Sequence, residues 1–284
     1  MNDQNTDSKK PAPVVWAIGG GKGGVGKSIV STLLAFWLAK MGKRTILADV
    51  DLGGANLHTL LGIKTPSRTL NDYITRKYDN LEEICIDTDV ENLRLISGAS
   101  EILSLANPHF SQKVKIIKNF FKLDADYIIL DLGAGTSFNV LDFFLFAHRR
   151  IIVITPQPIS IQNAYGFVRN AVYRRLSQVC SRKPALQLLV KTAMDPKNDL
   201  KVRTIKDLFK VIQESGDLES AEILKKEIGK IKPAVVTNMV RDPKEKNAGR
   251  IIQLVAEKYL MLNTMDYGSV VYDKQIYSMV SGMA

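Results

Sequence analysis

Residues 19–28, GGGKGGVGKS, constrain this chain more than any other stretch. Gly21, Gly26, Lys27 and Ser28 satisfy the spacing G-x-x-x-x-G-K-[ST], with Lys22, Gly23, Gly24 and Val25 between them. An apolar run, residues 14–18 (VVWAI), precedes the loop, and an amphipathic run, residues 28–41, follows it. Strand, glycine loop and helix form the context in which this spacing binds phosphate. Glycines permit the tight turn and bring backbone N–H groups against phosphate oxygens. The following helix aims its positive end at the same anion. The chemistry assigns Lys27 to the β- and γ-phosphates and the Ser28 hydroxyl to a Mg²⁺ ion. The expected nucleotide cradle therefore runs from Gly21 to Ile29.

Two carboxylate-bearing strands follow. Residues 44–50 (RTILADV) lead into Asp51, so Asp49 and Asp51 sit at the C-terminal end of a strand, where open parallel sheets bind ligands. Taken alone, Asp51 also fits a turn aspartate; downstream of a phosphate loop it reads as catalytic. In residues 127–135 (YIILDLGAG) four apolar positions run into Asp131. Asp131 is expected to hold Mg²⁺ through water, because that ion gives up its hydration reluctantly. Gly133 and Gly135 leave the next loop free to respond to the γ-phosphate. Thr136 and Ser137 also fit caps of the helix that follows.

Further strands are expected at 93–97, 150–155, 185–191, 234–240 and 269–273. Helices are expected within 66–83 with Thr69 as cap, at 109–122, 160–176 and 246–259, and as a pair in 195–230 split around Glu214-Ser215-Gly216-Asp217. About seven strands alternating with helices after a phosphate loop predict an α/β fold. It is a three-layer, mostly parallel twisted sheet with helices on both faces. Residues 1–13 read as a disordered tail and residues 14–284 as one domain, with no internal repeat or linker.

The net charge of +10 is unevenly spread. Residues 169–210 hold eleven lysines and arginines against three aspartates, a local +8. Such a segment offers a face to non-specific DNA, an anionic membrane or an acidic protein; it also fits a solvated helical surface. The 45% hydrophobic content suits a globular core, and no apolar run reaches membrane-span length or opens the chain as a signal peptide. The two cysteines, Cys85 and Cys180, are widely separated and form no CxxC. They point to a reducing cytoplasm and away from a paired-cysteine metal or iron–sulfur site.

With Lys22 inside KGGVGKS, the loop resembles the deviant Walker A motif of the MinD/ParA family of P-loop ATPases. The D-x-D-L-G-x-A-N stretch ending at Asn56 resembles that family's first switch, above all in its flagellar-number branch, FlhG or FleN. Residues 136–141 (TSFNVL) resemble the second switch of the same branch. The resemblance covers residues 14–280. It implies ATP/ADP and Mg²⁺ as ligands, and an ATP-dependent homodimer in which Lys22 contacts the nucleotide of the other subunit. It implies that Asp51 orients the attacking water and touches the Mg²⁺ shell, and that Asn56 lies near the γ-phosphate. It also implies that Asn238 reads adenine, a task suited to an amide carrying donor and acceptor together.

The resemblance predicts a slow ATPase that switches with nucleotide to control the position or number of a cellular structure. Such an enzyme works with a protein partner or activator, in the cytoplasm or at the inner face of the membrane. A ParA-like ATPase binding DNA non-specifically through residues 169–210 is the alternative. Metallocluster carriers share the loop but need paired cysteines, and cobyrinic-acid-type amidoligases need a glutaminase nucleophile; this sequence shows neither. Gln157 stands where the family carries an acidic residue, and residues 269–273 (SVVYD) lack the family's Pro-x-Asp. Residues 278–284 (SMVSGMA) show no periodic lipid-docking segment of the kind relatives end in, so the anchor is expected to be missing or truncated.

Overall fold

The computed structural model describes residues 11–51, 54–98, 110–195 and 197–282. In chain order the elements are β1 (Val14–Gly19), α1 (Lys27–Lys40), β2 (Thr45–Asp49), α2 (Leu57–Leu60), α3 (Leu70–Ile74), β3 (Ile86–Asp87), β4 (Leu93–Ile96) and α4 (Phe110–Phe120). They continue with β5 (Tyr127–Asp131), α5 (Phe138–Phe146), β6 (Arg149–Ile154), α6 (Pro158–Val179), α7 (Pro184–Met194), α8 (Ile205–Glu214) and α9 (Leu218–Gly229). The last are β7 (Pro233–Val240), α10 (Ala248–Leu260), β8 (Met265–Val271) and α11 (Lys274–Gly282).

The strands form one sheet in the order β3-β4-β2-β5-β1-β6-β7-β8. Every pairing is parallel except the short β3–β4 contact at one edge. Its central strands are apolar on both faces, as a doubly covered parallel sheet requires. In β5, Ile128 and Leu130 join one core while Ile129 joins the other; in β6, Ile152 and Ile154 oppose Ile151 and Val153. The smaller core lies under α1 and takes Val30, Ala35, Ala39 and Leu57. The larger core gathers α5, α6, α8 and α10 with Phe144, Phe167, Tyr173, Ile212 and Ile252. The expected three-layer α/β architecture is therefore present. β1 lies between β5 and β6, with β2 beyond one and β7 beyond the other, so the loop after β1 opens where the strand order diverges.

The expected strand at 185–191 is a helix. Pro184 occupies the first turn of α7, and Leu186, Val190 and Ala193 recur at helical spacing on its buried side. Leu188 is 65% exposed, and β6 pairs directly with β7, so this apolar run has no place in the sheet. The helix expected within 66–83 is shorter than its window: Thr69 caps α3 through a capping box with Asp72, and a separate 3₁₀ turn, Leu81–Ile84, follows. The expected pair in 195–230 is α8 and α9. A short helix, α11, runs into the stretch in which no lipid-docking segment was expected, and Ile276 and Met279 on it are exposed. Of residues 1–13, expected as a disordered tail, 1–10 lie outside the described residues.

One buried polar junction ties three helices of the larger layer together. Asp142 of α5 accepts hydrogen bonds from Lys113 Nζ of α4 (2.6 Å), from Arg174 Nε and Nη2 of α6 (2.8 and 2.9 Å) and from Gln178 Nε2 (2.8 Å). Burial pushes its pKa up, but the Arg174 and Lys113 hydrogen bonds and charges outweigh that and hold it below the ordinary carboxylate range. Asp142→Ala leaves the Lys113 ammonium buried without its carboxylate. That change is expected to cost about 3–5 kcal/mol, read as a lowered urea midpoint. A loss below about 1 kcal/mol, the worth of an exposed pair, would show the junction to be solvated. Because the folded pKa is depressed, this stabilisation is present at neutral pH and lost as pH falls through the folded pKa.

Candidate nucleotide site

The loop between β1 and α1 is shaped by its glycines. Gly24 (φ 78°) and Gly26 (φ 84°) are in the left-handed region, where side chains are strained. Gly21 is pressed onto α6, and a Cβ there would stand 2.1 Å from the Asn163 carbonyl oxygen. Gly26 caps α1 without a side-chain acceptor, and no acidic residue lies in the first turn, which leaves the helix N–H groups to an outside anion. Lys27 is 9% exposed and lies back over Gly20. Burial lowers its pKa, while the charges of Asp131 and Asp51 pull it back up. Lys22 is exposed on the outer turn of the same loop.

Across from the loop, Asp49 and Asp131 end adjacent strands in register. Asp131 is buried, which raises its pKa, while hydrogen bonds from the Ser28 and Ser31 hydroxyls lower it. Ser31 Oγ stands 2.8 Å from Asp131 Oδ1. Asp51 lies over Gly133 so closely that a Cβ on that glycine would come within 2.9 Å of its carboxylate. Asp49 accepts from the N–H of Asp51 (3.1 Å) and of Leu57 (3.2 Å), so it staples both ends of the switch segment; residues 52–53 within it lie outside the described residues.

Burial and the nearby Asp131 push the Asp49 carboxyl up to about 7. Between the unfolded value near 3.8 and that folded value, the native state holds a proton the unfolded chain has released. The ligand-free protein therefore gains stability from this group as pH falls from 7 toward 4 and loses it as pH rises. Asp49→Asn is expected to flatten that part of the Tm–pH profile in calorimetry. An unchanged slope would place the proton elsewhere.

A cleft of about 620 Å³ runs from Lys27 and Ser28 past Asn56 to Asn238 and Tyr272, a size suited to a nucleotide. Ile29 also lines it. Asn238 is 4% exposed and donates from Nδ2 to the Val25 carbonyl (2.9 Å), so the residue expected to read adenine also braces the loop. At the far end the Arg241 guanidinium stacks on Tyr272 at 4.2 Å.

Sequence reasoning missed Ser31 and Asn163. Ser31 was signalled by its place one helical turn after Ser28, on the same face of α1. Asn163 carries no local signal, because its backbone meets Gly21 only through the packing of α6.

The donors fit Mg²⁺. Ser28, Asp51 and Asp131 offer only oxygen, and the Ser28 hydroxyl helps to hold down the pKa of Asp131. No group of three His, Cys, Asp or Glu side chains forms a cage among the described residues. The thiols do not suit a soft metal: burial pushes Cys85 up to about 12 and Cys180 up to about 11, away from the thiolate form.

Comparison with known families settles the lineage. The family model ParA, described as NUBPL iron-transfer P-loop NTPase, matches residues 13–172, more than half of the chain. The chain belongs to the ParA/MinD family of P-loop NTPases. Within the family it is similar to the flagellum site-determining protein YlxH of Helicobacter pylori, 30% identical over 231 residues that cover 74% of this chain and 71% of YlxH. It is also similar to the antiactivator FleN of Pseudomonas aeruginosa, 35% identical over 164 residues, 57% of each chain. The chain thus spans little more than half the length of FleN. The septum site-determining protein MinD of Pyrococcus horikoshii, solved with Mg-ADP, shares the fold with a TM-score of 0.62 at 19% identity, over 95% of this chain and 86% of that one.

Proposed function

We propose that this chain is a Mg²⁺-dependent ATPase that dimerises with ATP and sets the position or number of a cellular structure. The observation that carries the reading is the opposite placement of two lysines in one loop. Lys27 is buried against Asp131 and Asp51, where it serves its own subunit's phosphates. Lys22 is exposed, where it can reach phosphates held by a second copy. Ser28 and Asp131 would hold Mg²⁺, which when bound neutralises charge on the β- and γ-phosphate oxygens. Asp51 orients water in line with the γ-phosphate, and the loop N–H groups stabilise the charge that develops. The names of YlxH, a flagellum site-determining protein, and MinD, a septum site-determining protein, support a role in placing.

The DNA-binding alternative draws less support from the basic segment than its charge suggested. Arg174 is held by Asp142, Arg175 by Glu227, Lys183 by Asp217, Lys210 by Glu214, and Arg169 by the Met194 carbonyl. About half of its cations are thus committed within the fold.

Lys22→Gln tests the reading. ATP affinity is expected to stay within threefold of the parent protein, since Lys27, Ser28 and the loop amides remain. The ATP-dependent dimer is expected to weaken by about ten- to a hundredfold, the worth of one charge-assisted contact. Fluorescence titration and sedimentation on the same samples read the two properties. Normal ATP-driven dimers would confine Lys22 to its own subunit.

A further inference from the structure

A second cavity, of about 540 Å³, opens on the outer side of the larger helical layer, away from the phosphate loop. Val114 and Ile117 of α4 and Leu145 and Phe146 of α5 give it apolar walls. Lys113, Arg174 and Arg175 give it a cationic lining. The three helices around it carry six lysines and arginines (Lys113, Lys115, Lys118, Arg169, Arg174 and Arg175) and one acid, Asp142. Asp142 is already saturated by Lys113, Arg174 and Gln178, and Arg175 shares Glu227 with Lys230. The acids present therefore fall short of the cations in the lining itself, since the one Asp142 carboxylate serves both Lys113 and Arg174 and the one Glu227 carboxylate serves both Arg175 and Lys230. Beside the pocket Phe138 is 63% exposed, with the Arg174 guanidinium stacked on its ring at 4.4 Å.

We propose that this pocket is a docking site for an acidic segment of a partner protein, anchored by an apolar side chain between α4 and α5. The charge deficit selects the acidic partner, and the pocket's size and apolar walls select an anchor of leucine or phenylalanine type. A flat polyanion would use the cations but leave the apolar walls empty. One wall of the site, α5, begins at Phe138 immediately after the loop that carries Asp131, Gly133 and Gly135, and Ser137 caps it by accepting from the Val140 N–H. The first turn of α5, with Phe138, is thus tied directly to the loop that follows Asp131.

The test is random-peptide display against the full chain with Mg-ADP, followed by anisotropy titration of the enriched peptides, a short DNA duplex and phosphatidylglycerol vesicles. Two variants probe the pocket without touching the nucleotide site. Ser181→Trp fills it from its exposed rim, and Gln187→Glu places a negative charge in its lining. The enriched peptides are expected to carry Asp or Glu beside Leu or Phe, and each variant is expected to weaken them about tenfold or more while ADP affinity holds. Enriched peptides that are neutral or basic, or acidic ones indifferent to both variants, would overturn the proposal. So would DNA or vesicle binding that the two variants abolish in the absence of any acidic peptide. Retained ADP affinity separates these outcomes from misfolding, and none depends on ATP hydrolysis or dimerisation.

Discussion

Alanine at Lys27 is expected to lower ATP affinity by about a hundredfold or more, the sum of contacts to two phosphates at 1.5–3 kcal/mol for each charged hydrogen bond. The side chain is placed for that loss. It lies back over Gly20 and is mostly withdrawn from water; burial lowers its pKa, and the charges of Asp131 and Asp51 oppose that lowering. No other described cation stands in the floor of the loop, since Lys22 points outward. The same substitution removes the cation nearest to Asp131 and Asp51, so the ligand-free protein is also expected to unfold at lower temperature at pH 8 than at pH 6 relative to the parent. Titration with a fluorescent ATP analogue, alongside circular dichroism to establish folding, reads both. ATP affinity within threefold of the parent in a folded Lys27→Ala protein would remove the phosphate-loop assignment.

The parts of this molecule that were legible in its sequence are those whose chemistry is local. Gly24, Gly26, Lys27 and Ser28 act through backbone conformation and spacing within a few residues, and the flanking strand and helix carry their own apolar patterns. The continuous apolar runs of β2, β5, β6 and β7 are likewise written residue by residue, and their alternation with helices gave the layered parallel sheet. Residues 185–191 failed for the converse reason. ALQLLVK is apolar enough for a buried strand, and only its packing, Leu186, Val190 and Ala193 inward and Leu188 outward, makes it a helix. Short apolar runs are ambiguous by periodicity alone.

Long-range polar contacts were also hidden. Asn238 reaches Val25 across 213 residues, and Asp142 meets Lys113, Arg174 and Gln178 from 29 to 36 positions away. An aspartate inside FNVLDFFLF reads as a disruption of an apolar helix until its partners are in view. The resemblance to a known family supplied Asn238 and Lys22, which spacing alone did not single out. It did not supply Ser31, whose contact with Asp131 belongs to the packing of α1 on β5.

Asp51→Ala is expected to separate binding from hydrolysis, the reverse of what Lys27→Ala does. Asp51 is half-buried over Gly133, at the first turn of the switch segment that Asp49 staples at both ends. Neither staple uses the Asp51 side chain, since the bond at that end is donated by its backbone N–H, so alanine leaves both staples in place. Lys27, Ser28 and Asp131 remain to hold phosphate and Mg²⁺, and ATP affinity is expected to stay within about threefold at saturating Mg²⁺. Turnover should fall by about 10²–10⁴, the range associated with loss of a positioned acid–base group. With hydrolysis stopped, the ATP-bound dimer accumulates, while the ADP sample stays monomeric. Phosphate release, light scattering in each nucleotide, and the Mg²⁺ concentration for half-maximal binding form one experiment. A higher Mg²⁺ requirement would put Asp51 in the metal's shell, whereas an unchanged requirement with lost turnover would assign it to the water alone. Turnover within threefold of the parent would show that the carboxylate over Gly133 does neither.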